Sequence, residues 1–152
     1  MSDEAAVAEK FARALALHQQ GQAKRAVDLY VEILSEQPGH FDALRLLGIA
    51  AGQQGQAQTA LDLFSRALAV NPSHAGTHSN RGNALLALKR FDDALASCDR
   101  ALAIEPRSVE ALFNRGVALQ RLKRPAEALA SFDRALAIRP GFVEALNGRG
   151  NA

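Results

Sequence analysis

Four prolines stand 34 residues apart in this chain, at Pro38, Pro72, Pro106 and Pro140. Ala26, Ala60, Ala94 and Ala128 keep the same interval, and so do Gly48, Gly82, Gly116 and Gly150. Three residue types locked in one phase identify an internal repeat, which decides the architecture before any local structure is considered. The prolines set the units at 7–40, 41–74, 75–108 and 109–142, with a partial fifth at 143–152. Units three and four are near copies: Asn80-Arg81-Gly82-Asn83-Ala84-Leu85 aligns with Asn114-Arg115-Gly116-Val117-Ala118-Leu119.

Within a unit the apolar residues recur at helical rather than strand spacing. In unit four, Leu112, Gly116 and Leu119 mark the face of one helix, and Ala128, Phe132, Ala135 and Leu136 that of a second. A polar break such as Gly52-Gln53-Gln54-Gly55-Gln56 or Leu122-Lys123-Arg124-Pro125 separates them. Pro125 suits a first helical position, where its missing N–H costs nothing. The periodic prolines follow the second helices, which they cannot continue. Each unit therefore reads as helix, short turn, helix, short turn. The small residues suggest how the pair closes. Gly82 and Gly116 are expected to face Ala101 and Ala135, with Ala94 and Ala128 making similar close approaches nearer the turn. Tyr30, Phe64, Cys98 and Phe132 then fill space against neighbouring helices.

The remaining composition excludes more than it suggests. With 152 residues, 48% of them hydrophobic, the chain is expected to form a single domain, 1–152. Eighteen basic against sixteen acidic residues leave a formal charge of +2, too weak a field to argue for nucleic acid. No apolar run is long enough to span a bilayer, so no membrane association is expected. Met1-Ser2-Asp3-Glu4 is acidic where a signal peptide would be basic and then apolar. Cys98 is the only cysteine, in keeping with a reducing compartment, and the expected location is cytoplasmic.

On these residues the chain resembles the tetratricopeptide repeat family. The resemblance spans 7–152 and rests on Leu47-Gly48 in a first helix, the alanine pairs, the second-helix aromatic and the terminal proline. Unit one departs from the pattern, with Ala14 for the glycine and Ile33 for the second alanine. An N-terminal unit lacks a preceding neighbour and tolerates such changes. The resemblance implies an all-α fold, a right-handed superhelical solenoid of antiparallel helical hairpins. It also implies a concave groove lined by the first helices, 7–20, 41–54, 75–88, 109–122 and 143–152. Facing that groove would be Asp42, Arg45 and Ile49; Ser79, Asn80 and Asn83; and Glu110, Phe113, Asn114 and Val117, with Asn147 and Asn151 continuing the row.

An asparagine offers both a donor and an acceptor, so it can bond the backbone of an extended peptide without reading its side chains. A ladder of such asparagines resembles the peptide-binding arm of the O-linked N-acetylglucosamine transferases. Here it has two rungs, Asn80 and Asn114, since the equivalent sites hold Ala12, Leu46 and Gly148. The alternative is that both asparagines cap turns or bond neighbouring helices. The two-carboxylate clamp found in the family needs lysines and asparagines across three first helices. Its sites hold Arg45, Ile49, Asn80, Glu110 and Asn114 in one register and Ser79, Asn83, Asn114, Glu144 and Gly148 in the next. A glutamate facing a ligand carboxylate repels it, and the clamp is rejected.

Arg81, Arg115 and Arg149 stand where the family usually carries leucine. They form either a basic stripe or, by the stronger reading, packed stems whose heads pair with Asp99 or Asp133. His74 and His78 straddle a helix start without a third ligand, so no metal is expected. Cys98 fills a core position and should be inert. No catalytic residue and no cofactor are expected. The chain thus reads as a non-enzymatic scaffold for a protein or peptide ligand. Two other readings make it the substrate-recognition arm of a larger glycosyltransferase-like enzyme, or a module that self-associates through an uncapped C-terminal end around Ala145 and Leu146.

Overall fold

The computed structural model describes residues 2–152. Among them are nine α-helices and no strand: α1 (Asp3–Gln19), α2 (Ala23–Glu36), α3 (Phe41–Gln53), α4 (Ala57–Val70), α5 (Ala75–Ala87), α6 (Phe91–Ile104), α7 (Val109–Arg121), α8 (Pro125–Ile138) and α9 (Val143–Gly150). The starts of α3, α5, α7 and α9 keep the 34-residue period, and each periodic proline lies two residues beyond a second helix. Pro125 opens α8. Only α1 breaks the frame. It begins at Asp3, before the expected 7, because the Ser2 hydroxyl accepts the Ala5 N–H at 3.2 Å and caps an additional turn.

The chain divides into two compact units, Met1–Pro72 with α1–α4 and Ser73–Ala152 with α5–α9. In the first, Val7, Ala14, Leu17, Ala26, Tyr30, Ile33 and Ala43 form the core. In the second, the core is Val109, Leu112, Leu119, Ala128, Phe132, Ala135 and Ala145. Within the second unit α5 packs on α7 and α7 on α9, whereas α6 and α8 share no comparable contact. In a two-layer stack of hairpins, the layer whose helices approach each other more closely is the inner side of the curve. The first helices therefore form the concave layer of this unit.

Each hairpin turns through one left-handed residue. Gly21 and Gly55 take φ of +75° and +76°, and Lys89 and Lys123 take +59° and +60°. The next residue closes the turn by donating its N–H five residues back: Gln22 to Leu17, Gln56 to Ala51, Arg90 to Leu85 and Arg124 to Leu119, all at 2.9 Å. Lysine pays a steric penalty in this conformation that glycine does not. Lys89→Gly and Lys123→Gly should each stabilise the fold by about 0.5–1 kcal/mol after the larger chain entropy of glycine is subtracted. A rise in thermal midpoint checks this, and a fall for both variants would contradict it.

The glycines of the first helices do not face the alanines that their spacing suggested. A Cβ on Gly116 would lie 2.6 Å from the Phe132 ring, one on Gly82 2.7 Å from Cys98 Sγ, and one on Gly48 2.7 Å from the Phe64 ring. Antiparallel helices pair residues at similar distances from their turn. Gly116 lies seven residues before Lys123, Phe132 nine after it and Ala135 twelve after it, so Ala135 falls a turn too far along α8. In units two to four the second-helix residue Phe64, Cys98 or Phe132 sits on the glycine of its own hairpin. Phe132 also reaches the next first helix, where a Cβ on Gly148 would lie 2.7 Å from its ring.

Candidate functional site

The concave layer of the second unit comes from α5, α7 and α9. Their N-terminal caps fix where each begins. His74 Nδ1 accepts the Thr77 N–H at 3.1 Å, and the Ser108 hydroxyl accepts the Ala111 N–H at 3.3 Å. His74 is therefore engaged as a cap, and among the described residues no group of three or more His, Cys, Asp or Glu is placed to hold a metal.

Along this layer Asn83 and Glu110 are exposed, Asn80, Phe113 and Val117 are half-buried, and Ser79 is buried. Asn114 is only 8% exposed, and its amide donates to the Ser79 carbonyl at 3.4 Å. The second rung of the asparagine pair thus ties α7 to the backbone of α5. Phe113 lies against the rings of Phe132 and Phe142, at centroid distances of 5.9 and 5.2 Å. Glu110 pairs with Arg139 at 3.3 Å. In the first unit, Arg45 and Ile49 lie half-buried on α3, and Arg45 pairs with Asp42 at 3.3 Å. Among the described residues the Arg45 Nε is buried without a hydrogen-bond partner.

The periodic arginines act as ties between helices. Arg115 Nε donates to Asp99 on α6 at 2.7 Å, and its Nη1 donates to the Ser131 hydroxyl on α8 at 2.7 Å. Arg149 pairs with Asp133 at 2.9 Å, and Arg81 donates to the Ser97 hydroxyl at 3.2 Å. The carboxylate pairs follow the expectation; the serines do not appear in it. Both serines are buried, so the guanidinium satisfies a hydroxyl that water cannot reach, while the half-exposed carboxylates add little.

A cavity of about 140 Å³ opens beside Val117, where the C-terminal ends of α5 and α7 meet the start of α6. Leu86, Ala87, Phe91 and Val117 give it an apolar lining, and Lys89 and Arg121 flank it. Arg121 lies over the Phe91 ring, 6.0 Å from its centroid. Sequence reasoning included Val117 but missed the cavity, because its walls come from three helices and one turn.

Cys98 takes the aromatic position of unit three and is fully buried. Burial, reinforced by Asp99, pushes its thiol up to about 12 against an ordinary 9.0. A raised acid group contributes stability that is fully present below pH 9 and is lost as pH rises towards 12. Above pH 9 the unfolding free energy of the wild type should fall more steeply than that of Cys98→Ala, by up to about 1.4 kcal/mol per pH unit. Equal slopes in alkaline denaturation series would refute the assignment.

Among the described residues no helix is long and apolar enough to cross a membrane. No curated protein matches the chain in sequence. The crystal structure of MamA superposes with a TM-score of 0.83 at 19% identity, covering 91% of this chain and 81% of that one, a likeness of fold. The Arabidopsis OM64 TPR domain is 30% identical over 73% of this chain and 92% of its own, with a TM-score of 0.72. The first TPR of Spaghetti (RPAP3), solved bound to the HSP90 peptide SRMEEVD, is 27% identical over 73% and 88%, with a TM-score of 0.71. The tetratricopeptide repeat model matches residues 11–75, 45–106 and 80–141. With hairpins of the same period and construction throughout, the chain belongs to the tetratricopeptide repeat family.

Proposed function

We propose that this chain is a protein-interaction scaffold that takes an extended peptide or a partner helix on its first-helix face. The face is centred on Asn80, Asn83 and Phe113 of the second unit, with Glu110 and Val117 beside them, whereas Ser79 and Asn114 are buried. The observation that supports the reading is the close approach of α5, α7 and α9, with Asn83 exposed and Asn80 half-buried on α5. A peptide backbone lying there meets side chains that both donate and accept. The peptide complex of the Spaghetti repeat domain supports the same use of the fold.

Peptide display against wild type and an Asn80→Ala/Asn83→Ala variant tests it. Capture should weaken about tenfold, the equivalent of one or two hydrogen bonds. Asn114 is left intact because its removal also breaks the tie to Ser79. Undiminished capture by the variant would count against this face. The reading as the recognition arm of a glycosyltransferase-like enzyme uses the same face and rests on the asparagine wording alone. Self-association through α9 is a second reading, supported by Val143 and Leu146 at 60% and 45% exposure, whereas Ala145, expected to be open, is fully buried in the core. A mass that rises with concentration in sedimentation would mark it.

A further inference from the structure

We infer that the cavity beside Val117 is an anchor subsite, taking one bulky apolar side chain of a bound peptide whose neighbouring residues are aspartate or glutamate. The inference rests on the peptide-binding reading and names the ligand class that this end of the face selects. Its volume of about 140 Å³ and its lining by Leu86, Ala87, Phe91 and Val117 suit a leucine- or phenylalanine-sized group, since apolar cavities of this size accept benzene. The charges around it supply the second element. Arg90 and Arg124, in the same two turns, are neutralised by Asp93 at 2.8 Å and Glu127 at 2.6 Å. Lys89 and Arg121 have no such carboxylate among the described residues, although both are exposed at the cavity. Two uncompensated cations on an apolar hole complement an apolar side chain set between carboxylates.

The backbone at Lys89 strengthens the case. Units one and two use Gly21 and Gly55 for the same left-handed residue, and unit three places a lysine there against its conformational preference. Strain of this kind gives reason to look for a function. A cation near a helix C-terminus also complements the helix dipole, and Lys123 has the same geometry. The experiment must therefore separate fold from ligand. The subsite differs from the carboxylate-clamp positions in both registers, so it does not require a peptide's terminal carboxylate.

Selection from a random hexapeptide library with amidated C-termini, followed by affinity measurement on the enriched peptides, makes the test. Enrichment of Leu, Ile or Phe flanked by Asp or Glu is expected. Alanine at the apolar position should weaken binding about tenfold. Lys89→Gly and Arg121→Gln should each weaken it about fivefold, while Lys89→Gly melts no lower than wild type. If Lys89 serves the dipole alone, Lys89→Gly changes the melt and leaves affinity untouched, which overturns the inference. Enriched peptides of other chemistry that remain sensitive to Asn80→Ala/Asn83→Ala overturn the subsite and leave the face standing. Binding only by peptides with a free terminal carboxylate also overturns it, and absence of any enrichment overturns both readings.

Discussion

Phe132→Ala is expected to cost the second unit about 3–5 kcal/mol in denaturant unfolding, the largest effect of any single substitution considered for this chain. The ring is fully buried on α8 and touches the elements on both sides. The Cε1–Cζ end of the ring sits on both Gly116 of α7 and Gly148 of α9, and Phe113 packs beside it with centroids 5.9 Å apart. Truncation removes the transfer energy of a whole aromatic side chain. It also leaves a cavity that glycine on two sides cannot fill, because neither has a side chain to relax inward. The loss should be uneven along the chain. In repeat arrays stability is a sum of unit and nearest-neighbour terms, so α9, whose contact with α8 depends on this ring, should open first. Amide exchange should accelerate in 143–150 before 109–121. A loss below about 1 kcal/mol, or uniform exchange across the unit, would show that the ring does not join the three helices.

Much of this fold is legible in the sequence because its punctuation is local. Proline stops a helix through its own ring and missing N–H, so Pro38, Pro72, Pro106 and Pro140 mark second-helix ends without reference to any tertiary contact. Contacts between helices are harder to read. Spacing places Gly116 on an inward face but does not say whether Phe132 or Ala135 meets it; that follows from distances measured from the turn. The proposed site is less legible again. Asn80 and Asn114 hold the same repeat position and are each followed by Arg-Gly, yet one is half-buried and the other is 8% exposed and bonded to Ser79. The difference arises from the neighbouring helix, which a single-repeat pattern does not contain. Lys89 is the same kind of case. A glycine at Gly55 announces a left-handed turn, and a lysine at the equivalent place announces nothing, although its backbone is nearly the same.

Gly116→Ala should reverse the usual sign of a helical glycine-to-alanine exchange. Inside a helix the change ordinarily gains about 1 kcal/mol, since alanine loses less backbone entropy on folding. Gly52→Ala should keep part of that gain, because the added Cβ meets only the Ala60 Cβ, at 3.9 Å, an ordinary contact. At Gly116 the added carbon falls 2.6 Å from the Phe132 ring. The ring has no free direction, being fully buried and also in close contact with Gly148. Relief therefore requires moving α7 away from α8, which strips contact from the rest of the core, and the net cost should be about 1–3 kcal/mol despite the propensity gain. Gly116→Leu should cost more, since its further atoms have no room at all. A thermodynamic cycle with Phe132→Leu isolates the cause: if the ring is the obstacle, Gly116→Ala should cost less in the leucine background than in the wild type. A Gly116→Ala chain that melts at or above wild type would mean that the glycine is not the seat of the ring. The close approach of α7 and α8 within the hairpin would then need another explanation.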